Sequence, residues 1–350
     1  MFCYEIPARA QFKAAHHYIW TELPSLISSI KLWIEAARSP VKQNLAKMVS
    51  AESLFSDLHK IETAWREVIE KAFAGVLSNY DGKKQEIIKG AIATCECWGK
   101  MHHSSHRAFI RKNGTHQTMT VGKRNWNREL NEHANIVLAH DWMSLDEQVA
   151  TGIQCYMKLA KKSMDKIIAS AIDTMAPHEF VDKMRGHQTK WHFELDIRFG
   201  EFERNLGATK RNATSGDEAS YVATWMRNVY RECAQDHGDG VTARNRKRIL
   251  EHVTDGLFDK LFRRIKTNLD QLALQHLNSI ATIRWGIYDA IDADISVMTA
   301  PDTAVFEERP EFGQKVVKML SATKIWLELL QDAAGRPLAS AYQRGYIQDV

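Results

Sequence analysis

The chain has 350 residues, 44% of them hydrophobic, which is enough to bury one large core or two ordinary ones and excludes a disordered tail. Its 47 basic and 43 acidic residues leave a formal charge of +4, so the overall field does not by itself demand nucleic acid or an anionic membrane. No apolar run approaches the roughly 20 residues needed to cross a bilayer, and the Met1 to Pro7 stretch lacks the regions of a signal peptide.

Five scattered cysteines, an odd number, fit a reducing compartment, cytoplasm or nucleus. Only seven prolines and eighteen glycines interrupt long runs of helix-favouring residues. The expected fold is therefore all-α, an elongated multi-helix bundle with long, stalk-like helices.

In chain order, Leu23 to Arg38 reads as one helix, stopped by Ser39-Pro40 because the residue before proline is pushed out of helical geometry. Leu54, Leu58, Ile61, Trp65, Val68, Ala72 and Val76 recur at steps of three and four, the spacing of one helix face, and Asp81-Gly82 is expected to end that helix. Ile87, Ile88, Ala91, Ile92 and Cys95 line a further helix that stops at Trp98-Gly99. A short helix capped by Ser104 or Ser105 runs to Lys112, and Asn113-Gly114 closes it, since both residues tolerate a left-handed backbone.

Asp146 to Met175 and Glu179 to Leu206 are the next helices. Residues 207–217 and Gly238-Asp239-Gly240 read as exposed connections. From Ile249 to Ile295 the apolar positions keep helical steps almost without interruption, so a long helix is expected, with Gly256 and Gly286 as the places where it would break. Phe312 to Leu330 forms the last helix, followed by a Gly-Arg-Pro turn. These segments divide into a helical bundle over 1–206, a connecting segment with a helix over 207–240, and a long-helix region over 241–350. The sequons at Asn113 and Asn212 mark polar loops and carry no assigned role.

One stretch is distinctive. Trp98 begins a run Trp-Gly-Lys-Met-His-His-Ser-Ser-His-Arg-Ala-Phe-Ile-Arg-Lys-Asn-Gly, which a polar loop separates from Arg124-Asn-Trp-Asn-Arg-Glu-Leu130 and then Asp141-Trp142. This pattern resembles the C-terminal helical region of fungal proteins related to nuclear dynamin-like GTPases. The match runs from Ile87 to Ile172, and more weakly from Gly238 to Pro301. Its positions are Trp98, Arg107, Arg111, Gly114, Trp126, Asn127, Leu130 and Trp142, none of which the resemblance makes catalytic. It implies an all-helical region coupled to a nucleotide-driven head, with self-association or binding of a protein partner as its task.

The head is not visible in this chain. Asp81-Gly82-Lys83-Lys84 and Val121-Gly122-Lys123-Arg124 each hold a Gly-Lys pair, but neither has the first glycine of a phosphate-cradling loop. Nucleotide hydrolysis is not expected, nor are a cofactor and a small-molecule substrate.

Cys95, Cys97, His102, His103 and His106 are the residue types that bind zinc, yet Cys-x-Cys on a helix aims the thiols about 200° apart, so they are weak ligands at this spacing. Glu129 with Glu132, or Asp289, Asp292 and Asp294, would supply paired carboxylates; acids on helices more often face solvent or pair with nearby Lys and Arg. Arg244, Arg246, Lys247 and Arg248 open the long helix. Four cations in five residues suit the phosphate groups of nucleic acid or lipid, or an import receptor, and equally a solvated face. Core packing is the expected role of Trp98, Trp126, Trp142, Trp191, Trp225, Trp285 and Trp326. Asn125 or Asn127 is expected to cap a helix, with Trp126 folded back over its start.

Overall fold

A computed structural model describes residue 15 and residues 18–38, 51–117, 122–299 and 310–343. Among the described residues the chain is all-α, as composition and periodicity indicate. After a π-turn at Tyr18–Glu22 come α1 (Leu23–Arg38), α2 (Ala51–Gly99) and α3 (His103–Arg111). Two-residue strands β1 (Thr115–His116) and β2 (Arg124–Asn125) pair antiparallel, Thr115 opposite Asn125. The remaining helices are α4 (Trp126–Asp173), α5 (His178–Thr214), α6 (Tyr221–Gln235), α7 (Val241–His252), α8 (Phe258–Thr299) and α9 (Pro310–Gln343).

Several helices are longer than expected. Asp81-Gly82 does not end α2, which runs on to Gly99. Glycine inside a helix costs only about 1 kcal/mol. Tertiary ties flank it: the buried Tyr80 hydroxyl donates to the Phe258 carbonyl at 3.1 Å, and Lys84 Nζ lies 2.5 Å from Asp259 Oδ1. The segment expected to begin at Asp146 is part of α4, which starts at Trp126, and α5 continues through Gly207 to Thr214, so Asn212 lies in a helix and the connection shrinks to 215–220. Helix α9 likewise passes through Gly335-Arg336-Pro337.

The expected long helix is divided instead. Between α7 and α8, Val253–Leu257 forms a π-turn in which Asp255 leaves helical geometry and Gly256 takes φ 106°, a left-handed value that favours glycine. Gly286 lies within uninterrupted α8. Ser39-Pro40 and Pro301 lie outside the described residues.

The chain forms two compact units, each assembled from distant segments: residues 1–58, 161–192 and 284–350 make one, and 59–160 with 193–283 make the other. Neither coincides with the contiguous divisions 1–206, 207–240 and 241–350. In the first unit, Ile27 and Ile34 of α1 pack on Leu320 and Leu327 of α9, with Leu23, Ile30, Val316 and Val317 around them. In the second, Trp65 meets Phe199, Phe202 and His276 edge-on at 5.5 to 6.0 Å, and His276 stacks on Phe202 at 4.3 Å.

Candidate functional site

The distinctive stretch folds into a buried aromatic knot in the second unit. Trp98 lies in the last turn of α2, and the chain turns out of the helix through bonds from Lys100 N to the Cys97 carbonyl and from Met101 N to that of Trp98. The Trp98 ring stacks on Trp126 at 4.4 Å, and Trp126 stacks on Phe109 at 4.8 Å, with planes within 9°. Each such contact adds about 0.5–1.5 kcal/mol beyond the area buried.

Glu129 ties the edge of the stack. It accepts from Trp98 Nε1 at 2.7 Å and from Arg124 Nε at 2.8 Å. That pairing is the partner role expected of helical acids. Leu130 is fully buried beneath it.

Helix ends give the knot its geometry. Asn113 (φ 51°) and Gly114 (φ 84°) close α3 in the left-handed region, as their side chains allow. A Cβ on Gly114 would sit 2.9 Å from the Tyr230 hydroxyl, so the site requires glycine twice over. Asn125 Oδ1 accepts from Arg128 N at 3.1 Å and so caps α4. Asn127 does different work: its Nδ2 donates to the Asn113 carbonyl, and its Oδ1 accepts from the buried Tyr230 hydroxyl. The α3 start departs from expectation. Its N-cap is His102 with no side-chain cap bond, while Ser104 Oγ lies 2.8 Å from His102 Nδ1. Arg107 reaches His237 Nδ1 at 3.2 Å, and Arg111 is exposed on the last turn.

Beside the knot a cleft of about 600 Å³ runs between α4 and the end of α5, lined by Arg128, Trp142, Met143, Asp146, Lys210 and Asp217 among others. Lys210 pairs with Asp146 at its rim. Asn135 in its lining belongs to an asparagine clamp that the sequence reading missed. Asn131 Nδ2 donates to the Ala213 carbonyl at 2.6 Å, Asn135 Nδ2 to that of Thr214 at 2.7 Å, and Asn125 Nδ2 to that of Gly216 at 2.8 Å. These amides satisfy carbonyls that a helix C-terminus leaves open. The signal was three asparagines on the first turns of one helix, but their acceptors lie about eighty to ninety residues away.

The remaining sequence candidates are divided between buried and exposed positions. Cys95 is buried, which, with Glu96 nearby, pushes its thiol up to about 12. Burial, reinforced by Arg246, lowers His106 to about 4, and the ring packs 5.1 Å from Trp126. Cys97, His102 and His103 are exposed. Among the described residues no three His, Cys, Asp or Glu side chains converge as metal ligands do. Arg244 donates to Asp236 at 2.7 Å and to the Asp239 and His237 carbonyls. Arg248 lies 3.6 Å from Asp236, Lys247 3.6 Å from Glu251, and Arg246 donates to the Met101 carbonyl. All four cations are thus engaged by the chain itself.

In the first unit Asp294, buried on α8, accepts from Lys183 Nζ through Oδ1 and sits 2.6 Å from His187 Nε2 through Oδ2. Lys183 also donates to Ser29 Oγ. Asp294 is therefore a buried partner rather than a solvated acid. Two expected core tryptophans are exposed: Trp285, and Trp326, which is 66% accessible. Trp326 stands on the side of α9 away from α1, with Met319, Ile325, Leu329 and Leu330, all exposed. No helix among the described residues is long and apolar enough to cross a membrane.

No curated protein and no solved structure matches the chain. A family described as a domain of unknown function (DUF7605) matches residues 82–262, just over half of the chain, and that span contains the whole aromatic knot, the asparagine clamp and the cleft. On this match the chain belongs to the DUF7605 family.

Proposed function

We propose that the chain is a non-enzymatic helical interaction and assembly module of an intracellular protein, acting in the nucleus or cytoplasm, with a protein as its partner. The observation that carries this is α9. It buries Leu320 and Leu327 on one side and exposes Met319, Ile325, Trp326, Leu329 and Leu330 on the other. A helix with large apolar side chains on its exposed side as well as its buried one has a second face suited to an interface, and water around such a face costs about 25 cal/mol for each Å². The resemblance to the helical region of nuclear dynamin-like GTPase relatives supports the same reading, since that region serves a nucleotide-driven head by association. Phosphate binding through Arg244 to Arg248 is the lesser reading, because those side chains already have acceptors.

The test is binding through α9. Trp326→Glu places a charge in the face without touching the inward residues, so it should abolish association while leaving the helical circular dichroism unchanged. Wild-type protein that stays monomeric, captures no protein partner and loses nothing with Trp326→Glu would refute the proposal.

A further inference from the structure

The outer face of α9 has the features of one half of a symmetric contact. At 3.6 residues per turn, Val316, Leu320 and Leu327 fall on the α1 side, and Met319, Ala322, Trp326, Leu329 and Leu330 fall opposite, with Ile325 at the edge. Met319 is 69% exposed and Trp326 66%. Together the five large side chains present roughly 600 Å², so two copies would remove roughly 1,200 Å² from water, the lower end of specific interfaces. Ala322 lies at the middle of the stripe, where a small side chain lets two helices approach closely.

Charge decides the partner and its direction. Lys315 and Lys318 precede the apolar stripe and Asp332 flanks its end, whereas Glu328, about 200° round the helix from Trp326, points away from the stripe and pairs with Lys324. A second α9 laid parallel would set lysine over lysine and acid over acid. Laid antiparallel with the crossing at Ala322, it sets Lys315 of each copy toward Asp332 of the other, with Lys318 over the Trp326 ring, where a cation is favoured. Such a contact is isologous, the form closed dimers take. We propose that two copies of this chain associate through the outer face of α9, the helices antiparallel and crossing at Ala322. This rests on reading the chain as an interaction module and names its partner.

Sedimentation equilibrium over a wide concentration range tests it on the full chain. The expected result is a dimer for wild type and a monomer for Trp326→Glu with unchanged helical circular dichroism. Lys315→Glu should weaken the dimer several-fold, and adding Asp332→Lys should restore it, a rescue that parallel helices would not give. A dimer that survives Trp326→Glu, or a charge reversal without rescue, overturns the proposal. So does a monomeric wild type. In that case, loss of a captured protein or of binding to anionic vesicles on Trp326→Glu shows that the face has another occupant. A monomer whose capture and vesicle binding ignore Trp326→Glu removes the interaction reading as well.

Discussion

Gly216 sits where the end of α5 meets the start of α4, and the structure predicts that adding a single methyl group there is costly. A Cβ at this position would lie 2.2 Å from the Arg128 backbone nitrogen and 2.5 Å from its Cα. Those atoms belong to the first turn of a helix and cannot rotate away as a side-chain tip can. The loop must move instead, and overpacking of this kind costs about 1–3 kcal/mol. Movement also loosens the 2.8 Å bond from Asn125 to the Gly216 carbonyl, worth about 1 kcal/mol. Gly216→Ala should therefore destabilise the second unit by about 2–4 kcal/mol. With a urea dependence of about 3 kcal/mol per molar, the midpoint falls by about 1 M. Gly75→Ala is the control. It makes the same chemical change at an exposed position inside α2 with nothing within 4 Å, and should stabilise by about 0.5–1 kcal/mol. Urea unfolding followed by circular dichroism and tryptophan fluorescence measures both. A Gly216→Ala midpoint within about 0.2 M of wild type would refute the backbone-contact argument.

Other predictions rest on buried groups. His106 and His276 are both lowered from 6.5 to about 4 by burial, so the unfolded chain takes up protons that the folded one refuses; their contribution is complete above pH 6.5 and is lost as pH falls toward 4. Each costs about 2 kcal/mol at pH 5 relative to neutral pH. His276→Phe should accordingly narrow the difference between urea midpoints at pH 7 and pH 5, and an unchanged difference would count against it. Asp294→Asn leaves Lys183 buried without its counter-charge and should cost about 3–5 kcal/mol, whereas Lys183→Met with Asp294→Leu should recover most of that loss in thermal unfolding. Maleimide labelling read by mass spectrometry at neutral pH should modify exposed Cys97 and Cys155 quickly and buried Cys95 and Cys233 slowly, because burial raises both of the latter thiols. Equal rates would contradict their burial.

Local signals proved legible where backbone chemistry acts alone. Helix α1 spans Leu23–Arg38 as read, α2 stops at Trp98-Gly99, and Asn113-Gly114 and Asn125 close and open helices through the conformations and side-chain bonds those residues favour. Glycine and short polar stretches misled where packing opposed them. Gly82 and Gly207 stay helical, each at a cost of about 1 kcal/mol that tertiary contacts exceed. Gly256 does break its helix, and the apolar steps on either side of it gave no warning that its outcome would differ from that of Gly286.

The candidate site divides in the same way. Trp98, Gly114, Trp126 and Asn127 could be picked out as a group from sequence, but their stacking order and the Glu129 tie depend on three helices meeting. Trp326 was assigned to the wrong environment, because a tryptophan in an apolar stripe looks alike whether buried or exposed, and Asp294 takes the lysine-paired role open to it at a depth of burial that spacing does not reveal.

Composition, periodicity and turn chemistry by themselves determined the all-α class and most of the places where helices begin and end, because those depend on interactions within a few residues. Only the tertiary structure decided which apolar face of α9 is buried, which of its charges are spent internally, and that each unit draws on three or two distant stretches of chain. Those choices follow from burial summed over many side chains, several kcal/mol that outweigh any single local preference and leave no trace in short-range spacing.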